Sequence, residues 1–187
     1  MNDHGLTLFD TAIGRCGIAW GPRGITAVQI PEANDDATRA RLRHKCPGAQ
    51  EIAPPPEVRR VMDDVVALLQ GEAIEFADVE LDLEGVSDFS RRVYEITRSI
   101  PPGSTLTYGE IAKRLGAPDQ AQAVGVALGK NPIPIIVPCH RVLAAGGKVG
   151  GFSANGGITT KRRLLWIESP HAKGEPGLFD NIESPKG

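Results

Sequence analysis

Cysteine is scarce in this chain: three among 187 residues, an odd number with no Cys-x-x-Cys pair. That excludes a disulfide framework and a zinc ribbon. A chain of this length buries on the order of 70% of its unfolded surface without such staples. A reducing, cytoplasmic setting is the expectation. Long apolar runs are also missing. The longest, Ile133 to Pro138, falls far below the ~20 residues a membrane span needs, so no membrane partner is expected. Met1-Asn2-Asp3-His4-Gly5 has neither a basic nor an apolar leader region, and no secretory signal is expected. No grouping of Cys and His suggests a metal site, and no cofactor is expected. The length allows one domain or two small ones.

What is present is a division of charge. Residues 1–87 carry 8 Lys+Arg against 15 Asp+Glu, a net of −7, whereas residues 88–170 carry 11 against 5, a net of +6. Such asymmetry suggests that the second half meets a polyanion. Two solvated faces of opposite sign explain it equally well.

The first half reads as a small antiparallel meander. Thr7–Phe9 and Cys16–Trp20 alternate, then Gly21-Pro22-Arg23-Gly24 turns into Ile25–Ile30. Ala33–Lys45 is helix-compatible. After Pro54-Pro55-Pro56, the stretch Glu57–Leu69 has Val58, Met62, Val65, Val66 and Leu69 on one helical face. Phe76–Leu83 is expected to be extended, with a boundary near Glu84-Gly85.

The second half reads as mostly helical. Phe89, Val93, Ile96 and Ile100 recur at helical spacing before Pro101-Pro102-Gly103. Thr107 and Glu110 have capping-box spacing. Gly116-Ala117-Pro118 breaks that helix, and Asp119 is expected to cap a second one running to Lys130. Two short helices about a tight turn form the helix-turn-helix pattern. Ala121, Ala123, Gly125, Ala127 and Gly129 keep the second helix slim. Close approach to a ligand and close packing on a neighbouring helix both account for that.

Chemistry concentrates in Asn131-Pro132-Ile133-Pro134-Ile135-Ile136-Val137-Pro138-Cys139-His140-Arg141-Val142. Pro138 suits a first helical position, so Cys139 is expected at a helix N-terminus, where a thiol pKa falls and the thiolate is the nucleophile. Cys16, in a strand, and Cys46, in a polar loop, read as small fillers. His140 follows Cys139 and points about 100° away on a helix, so a bridging water and an orienting acid are needed to couple them. Glu168, ending the helix Thr160–Glu168, is the best placed acid. His4, His44 and His171 read as surface residues. The glycine-rich stretch 146–157 has a GxxG spacing but follows no strand, which makes a dinucleotide site weak. A loop closing over a flat substrate, or a plain flexible connection, fits it better.

With these residues assembled, the sequence resembles the O6-alkylguanine-DNA alkyltransferase family from about Phe89 to Glu168. The carriers are Pro-Cys-His-Arg-Val at 138–142, Ile100-Pro101-Pro102-Gly103, Thr107-Tyr108-Gly109-Glu110 and Asn131-Pro132. The resemblance implies an α/β, ribonuclease H-like N-terminal domain over residues 1–84, with a small antiparallel sheet plus helices. A mainly α-helical alkyltransferase domain with a helix-turn-helix would follow over 85–170, then a flexible tail over 171–187. It implies a single-turnover DNA repair methyltransferase, a monomer that transfers the alkyl group of O6-alkylguanine to Cys139. His140 and Glu168 would hold Cys139 as thiolate, Tyr108 would donate a proton to the leaving guanine, and Asn131 would tie the recognition helix to the active-site turn. Val142, Ser153, Pro134, Lys161 and Phe152 would line the substrate. Gln122, Ala121, Ala123, Gly125, Arg141, Lys130, Lys113 and Arg114 would meet DNA in the minor groove, with the alkylated guanine flipped out at a few kcal/mol.

Three positions depart from the family pattern. Gln122 stands where the family has an arginine that fills the gap left by the flipped base, Val126 replaces a small residue, and Phe152 replaces a tyrosine. These departures support an alternative: a damage-binding or ligand-binding homologue with weak transfer. A sequence-specific transcription factor is a third reading, which leaves the thiol unexplained.

Overall fold

The computed structural model describes residues 4–169. The expected flexible tail and His171 lie outside the described residues.

Strands β1 (Gly5–Thr11), β2 (Gly14–Gly21) and β3 (Gly24–Gln29) form the expected antiparallel meander. Helix α1 (Asp35–Lys45) follows, started by the Asn34 side chain accepting from the Ala37 N–H. A two-residue strand, β4 (Gln50–Glu51), then adds to β1 in parallel, so the sheet is mixed, in the order β3-β2-β1-β4, and not wholly antiparallel. Its alternation separates two faces. Leu6, Ala19 and Ala27 pair across the strands and pack against Leu42 of α1. Gly17 makes that approach close: a Cβ there would stand 2.8 Å from Leu42.

Ile18, Trp20, Ile25 and Val28 occupy the other face and join the main core. Helix α2 (Pro56–Leu69) covers it with Val58, Val61, Val65, Leu68 and Leu69. Val61 and Leu68 thus replace Met62 and Val66 on the deepest stripe, because α2 packs on both β1 and a late helix, α6 (Ile158–Glu168). Residues 76–83 are largely irregular, with only Leu81 bridging Ile25. Arg98 fixes this crossing by donating to the carbonyls of Phe76 and Val79.

Helix α3 (Asp88–Arg98) starts at the Ser87 cap, and its Tyr94 hydroxyl donates to the Ala127 carbonyl at 2.7 Å. Strand β5 (Leu106–Thr107) leads into α4 (Tyr108–Arg114), which opens with the expected reciprocal Thr107–Glu110 capping box. Helix α5 (Ala121–Gly129) packs on α4. Its cap is Gln120, not Asp119, because the Gln120 N–H closes a turn onto Ala117 and leaves Asp119 inside that turn. Strand β6 (Val142–Leu143) pairs in parallel with β5. One apolar cluster runs through both halves, from Trp20 and Val65 to Val124 and Leu164.

Candidate active site

The segment between α5 and β6 is held from both halves of the chain. Val28 of β3 donates its N–H to the Pro132 carbonyl at 3.1 Å. Asn131 spans the segment: its Nδ2 donates to the Val137 carbonyl at 2.8 Å, and its Oδ1 accepts from the Ile133 N–H at 2.9 Å. Between them, Ile135 sits at φ 75°, a left-handed conformation that a β-branched residue adopts only under constraint. The fold tolerates that strain where it delivers Pro138 and then Cys139 into a tight turn.

That turn, Cys139–Arg141, is a three-residue 3-10 turn capped by Pro138. It is too short to supply the expected helix-terminus charge, which needs aligned peptide units. Cys139 is 8% exposed. Burial pushes its thiol up from the ordinary range, opposed by the Asn131 amide, the Lys161 charge, its own backbone and the Lys45 charge. Burial thus works against the thiolate that the sequence led us to expect, and Asn131, Lys161 and Lys45 work toward it.

Behind it lies a buried ionic cluster. His140 Nε2 stands 2.7 Å from Glu168 Oε1. Arg141 grips the same carboxylate twice, Nε to Oε2 at 2.9 Å and Nη2 to Oε1 at 2.8 Å, and its Nη1 donates to the Ile100 carbonyl at 2.7 Å. Arg141 is 3% exposed, so its expected place on a DNA surface is corrected: the guanidinium is consumed inside. Burial would raise Glu168, but its interactions with His140 and Arg141 outweigh it and bring its carboxyl down to about 2. Burial lowers His140, despite the Glu168 charge. A neutral ring beside a carboxylate carries its hydrogen on Nε2. Nδ1 is then a bare acceptor, buried and without a partner among the described residues.

Tyr108 opens α4 and is half-buried. A Cβ on Gly150 would stand 3.1 Å from its hydroxyl, and one on Gly125 would stand 3.8 Å from its ring, so both glycines leave the ring its slot. Burial raises the Tyr108 phenol, as does the nearby Cys139. Lys161, fully buried, donates to the Val142 carbonyl at 2.7 Å and to the Tyr108 hydroxyl at 3.5 Å. Burial lowers its ammonium to about 8. Lys161 and Val142 were expected to touch substrate. Neither lines the two cavities at Cys139; the Lys161 ammonium finds its acceptors in the interior instead.

Two cavities meet at Cys139. One, of about 420 Å³, is bounded by Tyr108, Gly125, Leu128, Cys139, Phe152 and Ser153, within the range of small-molecule sites. The other, of about 270 Å³, is bordered by Cys139, Pro134 and Phe152 and by Gln29, Lys45 and Lys130. Ser153 Oγ donates to the Gly129 carbonyl at 3.1 Å, closing the rim. The wall from the first half, which includes His44, escaped the sequence reading. The basic last turn of α1 was its only visible signal.

The outer face of α5 exposes Gln122, and Val126 one turn later is 54% exposed. Ala121, Ala123 and Gly125 are half-buried beside them, and Lys113, Arg114 and Lys130 are exposed nearby. Among the described residues no group of three or more His, Cys, Asp and Glu could hold a metal.

A family model described as the DNA binding domain of 6-O-methylguanine DNA methyltransferase matches residues 88–170. The methylated-DNA–protein-cysteine methyltransferase of Mycobacterium tuberculosis is 52% identical over 119 residues, 64% of this chain and 70% of the relative. That of Methanothermobacter thermautotrophicus is 34% identical over 159 residues, 85% of this chain and 82% of the relative. The crystal structure of Mycobacterium tuberculosis OGT in complex with DNA superposes with a TM-score of 0.71 at 40% identity, covering 88% of this chain and 92% of that one.

Proposed function

This chain belongs to the methylated-DNA–protein-cysteine methyltransferase family, and from that premise we propose that it repairs DNA by moving the alkyl group of O6-alkylguanine onto Cys139. The observation that carries the reading is a cysteine shared by two cavities with a bare imidazole nitrogen behind it.

In this reading the flipped guanine enters the larger cavity, with Phe152 and Ser153 around it and Pro134 beside the alkyl group. The thiol gives its proton, through one bridging water, to His140 Nδ1. The imidazolium that forms faces the Glu168 carboxylate, which Arg141 keeps ionised at all ordinary pH. The sulfur then attacks the alkyl carbon in line. The S–C bond forms as the C–O6 bond breaks, and O6 takes the electron pair. Tyr108, its phenol held protonated by burial, gives its proton to the guanine ring, and the phenolate left behind faces the Lys161 ammonium. The proton on His140 then returns to the phenolate through solvent, which restores the charge balance. A thioether resists hydrolysis, and nothing among the described residues could cleave it, so each molecule acts once.

Helix α5, with its small residues, is read as entering the minor groove, as the second helix of a helix-turn-helix. Gln122 would meet the gap left by the flipped base, with Lys113, Arg114 and Lys130 on phosphates. Three free cysteines suit a reducing, cytoplasmic setting.

Incubation with an O6-methylguanine duplex, followed by peptide mapping, tests this. The expected result is a mass increment of one methylene confined to Cys139, with loss of an equal amount of lesion; an unmodified Cys139 with undiminished lesion would remove the reading. Exposed Gln122 and Val126 support the second reading, lesion binding with weak transfer. It requires that Cys139→Ser bind the lesion as tightly as the wild type while the wild type transfers slowly.

A further inference from the structure

The two cavities at Cys139 share Leu128, Gly129, Cys139, Phe152 and Ser153, and together they are one cleft. Lys130 lines it from the second half of the chain. From the first half comes the last turn of α1, with Arg41, His44 and Lys45 on the lining. A half whose net charge is −7 thus turns basic side chains toward the place where substrate enters.

Basic residues in the last turn of a helix are favoured by its dipole, so their presence alone decides nothing. Their partners decide more. Arg39 and Arg43, on α1 but off the cleft, both reach Glu51, at 2.9 and 3.5 Å. Arg41 reaches Glu32 at 3.2 Å. His44 and Lys45 are exposed, and neither has a carboxylate partner among the described residues. Lys45 gives one N–H to the Val28 carbonyl at 2.9 Å, and an ammonium has two more to give. Val28 in turn donates its N–H to the Pro132 carbonyl. The last turn of α1 and the Cys139 segment are therefore fastened to the same residue of β3.

A flipped nucleotide stays joined to its strand by the two phosphates of its own sugar, so a base in the cleft brings both phosphates to the mouth. The 15 carboxylates of the first half would repel them, unless the part of that half nearest the strand were basic and unpaired. We propose that the last turn of α1 is a second DNA-contacting wall, with His44 and Lys45 seated on the phosphates that flank the extruded nucleotide. The inference rests on the alkyl-transfer reading and gives the first half of the chain a part in holding the strand.

Binding of the full chain carrying Cys139→Ser to an O6-methylguanine duplex, measured against salt, tests it, because that background has no thiol for Lys45 to influence. Each cation lifted from a phosphate lowers the magnitude of the slope of log K against log salt by about 0.9. Lys45→Gln should lower it by that much and weaken binding several-fold, whereas Lys45→Arg should keep both. Arg43→Gln, the same change of charge on the same helix but off the cleft, should alter neither. His44→Glu breaks no side-chain hydrogen bond among the described residues and decides the matter if Lys45→Gln does not fold. It should weaken binding several-fold, and more than Arg43→Gln does. An unchanged slope in folded Lys45→Gln overturns the proposal, as does a His44→Glu variant that binds like its parent. So does an equal fall in slope for Arg43→Gln, which would make net charge the cause. If the wild type methylates Cys139 on the same duplex while these variants bind alike, this inference alone fails; absent methyl transfer removes the reaction beneath it as well.

Discussion

Arg141 and Lys130 lie in the same basic half of the chain and have opposite fates. Arg141 is 3% exposed and locked to Glu168 and Ile100, whereas Lys130 stands in solvent on the rim of the cleft. Lys161 goes the way of Arg141, fully buried against Val142. The net charge of that half therefore overstates what reaches outside. Charge in a sequence names a quantity; burial decides whether it steers a polyanion or holds a core together.

The comparison breaks most readily at Glu168. Removing one member of a buried ionic cluster strands the others, at about 3–5 kcal/mol. Glu168→Gln should destabilise the protein to urea by that much, while Lys130→Gln should stay within about 0.5 kcal/mol, as surface changes do. A cost below about 1 kcal/mol for Glu168→Gln would mean that the inner and outer groups do not differ.

Acid unfolding reads the same contrast with pH. Glu168 has its carboxyl at about 2 in the folded protein, against about 4.3 in an unfolded chain. A depressed carboxylate adds stability that is complete above the unfolded value and is lost as pH falls from about 4 toward 2. The wild type should lose stability across that window more steeply than Glu168→Gln, which has no carboxyl to titrate there. Parallel curves would assign acid unfolding to other groups.

How much of this was legible follows from distance along the chain. The Thr107–Glu110 capping box is a local pattern, and the fold keeps it as read; the Pro138-Cys139-His140 segment was legible as a turn, but not as a 3-10 turn too short to act as a helix N-terminus. The partnership of His140 with Glu168 was also readable, because Glu168 is the acid that ends the helix following the Cys139 segment. The role of Arg141 was not: guanidinium on phosphate and guanidinium on a buried carboxylate look alike until burial is known. Strand β4 was invisible because two residues, Gln50 and Glu51, have no period. The Gln29 and Lys45 wall depends on β3 meeting Pro132 across the whole chain, and nothing near Gln29 in sequence announces that meeting.

A smaller effect is expected at Gln122, which is exposed and uncharged where the family has arginine. Gln122→Arg adds a cation that does not have to be buried. It should tighten binding to an O6-methylguanine duplex several-fold and raise the transfer rate with it, with no change in urea midpoint. An unchanged affinity and rate would show that this position does not meet the flipped base's gap.

The smallest effect separates the two classes of cation most cleanly. Each cation seated on a phosphate releases a condensed counterion, so the slope of log K against log salt changes by about 0.9 for each phosphate left without its cation. Lys113→Gln and Lys130→Gln should each lower the magnitude of the slope by about that much, with little change in stability. Arg141→Gln should do the reverse: a large loss of stability, and the same slope in whatever fraction remains folded, because a guanidinium already neutralised by Glu168 has no counterion to displace. If Arg141→Gln flattened the slope as Lys113→Gln does, the Glu168 cluster would have to open when DNA binds, and the inner and outer cations would be two states of one surface.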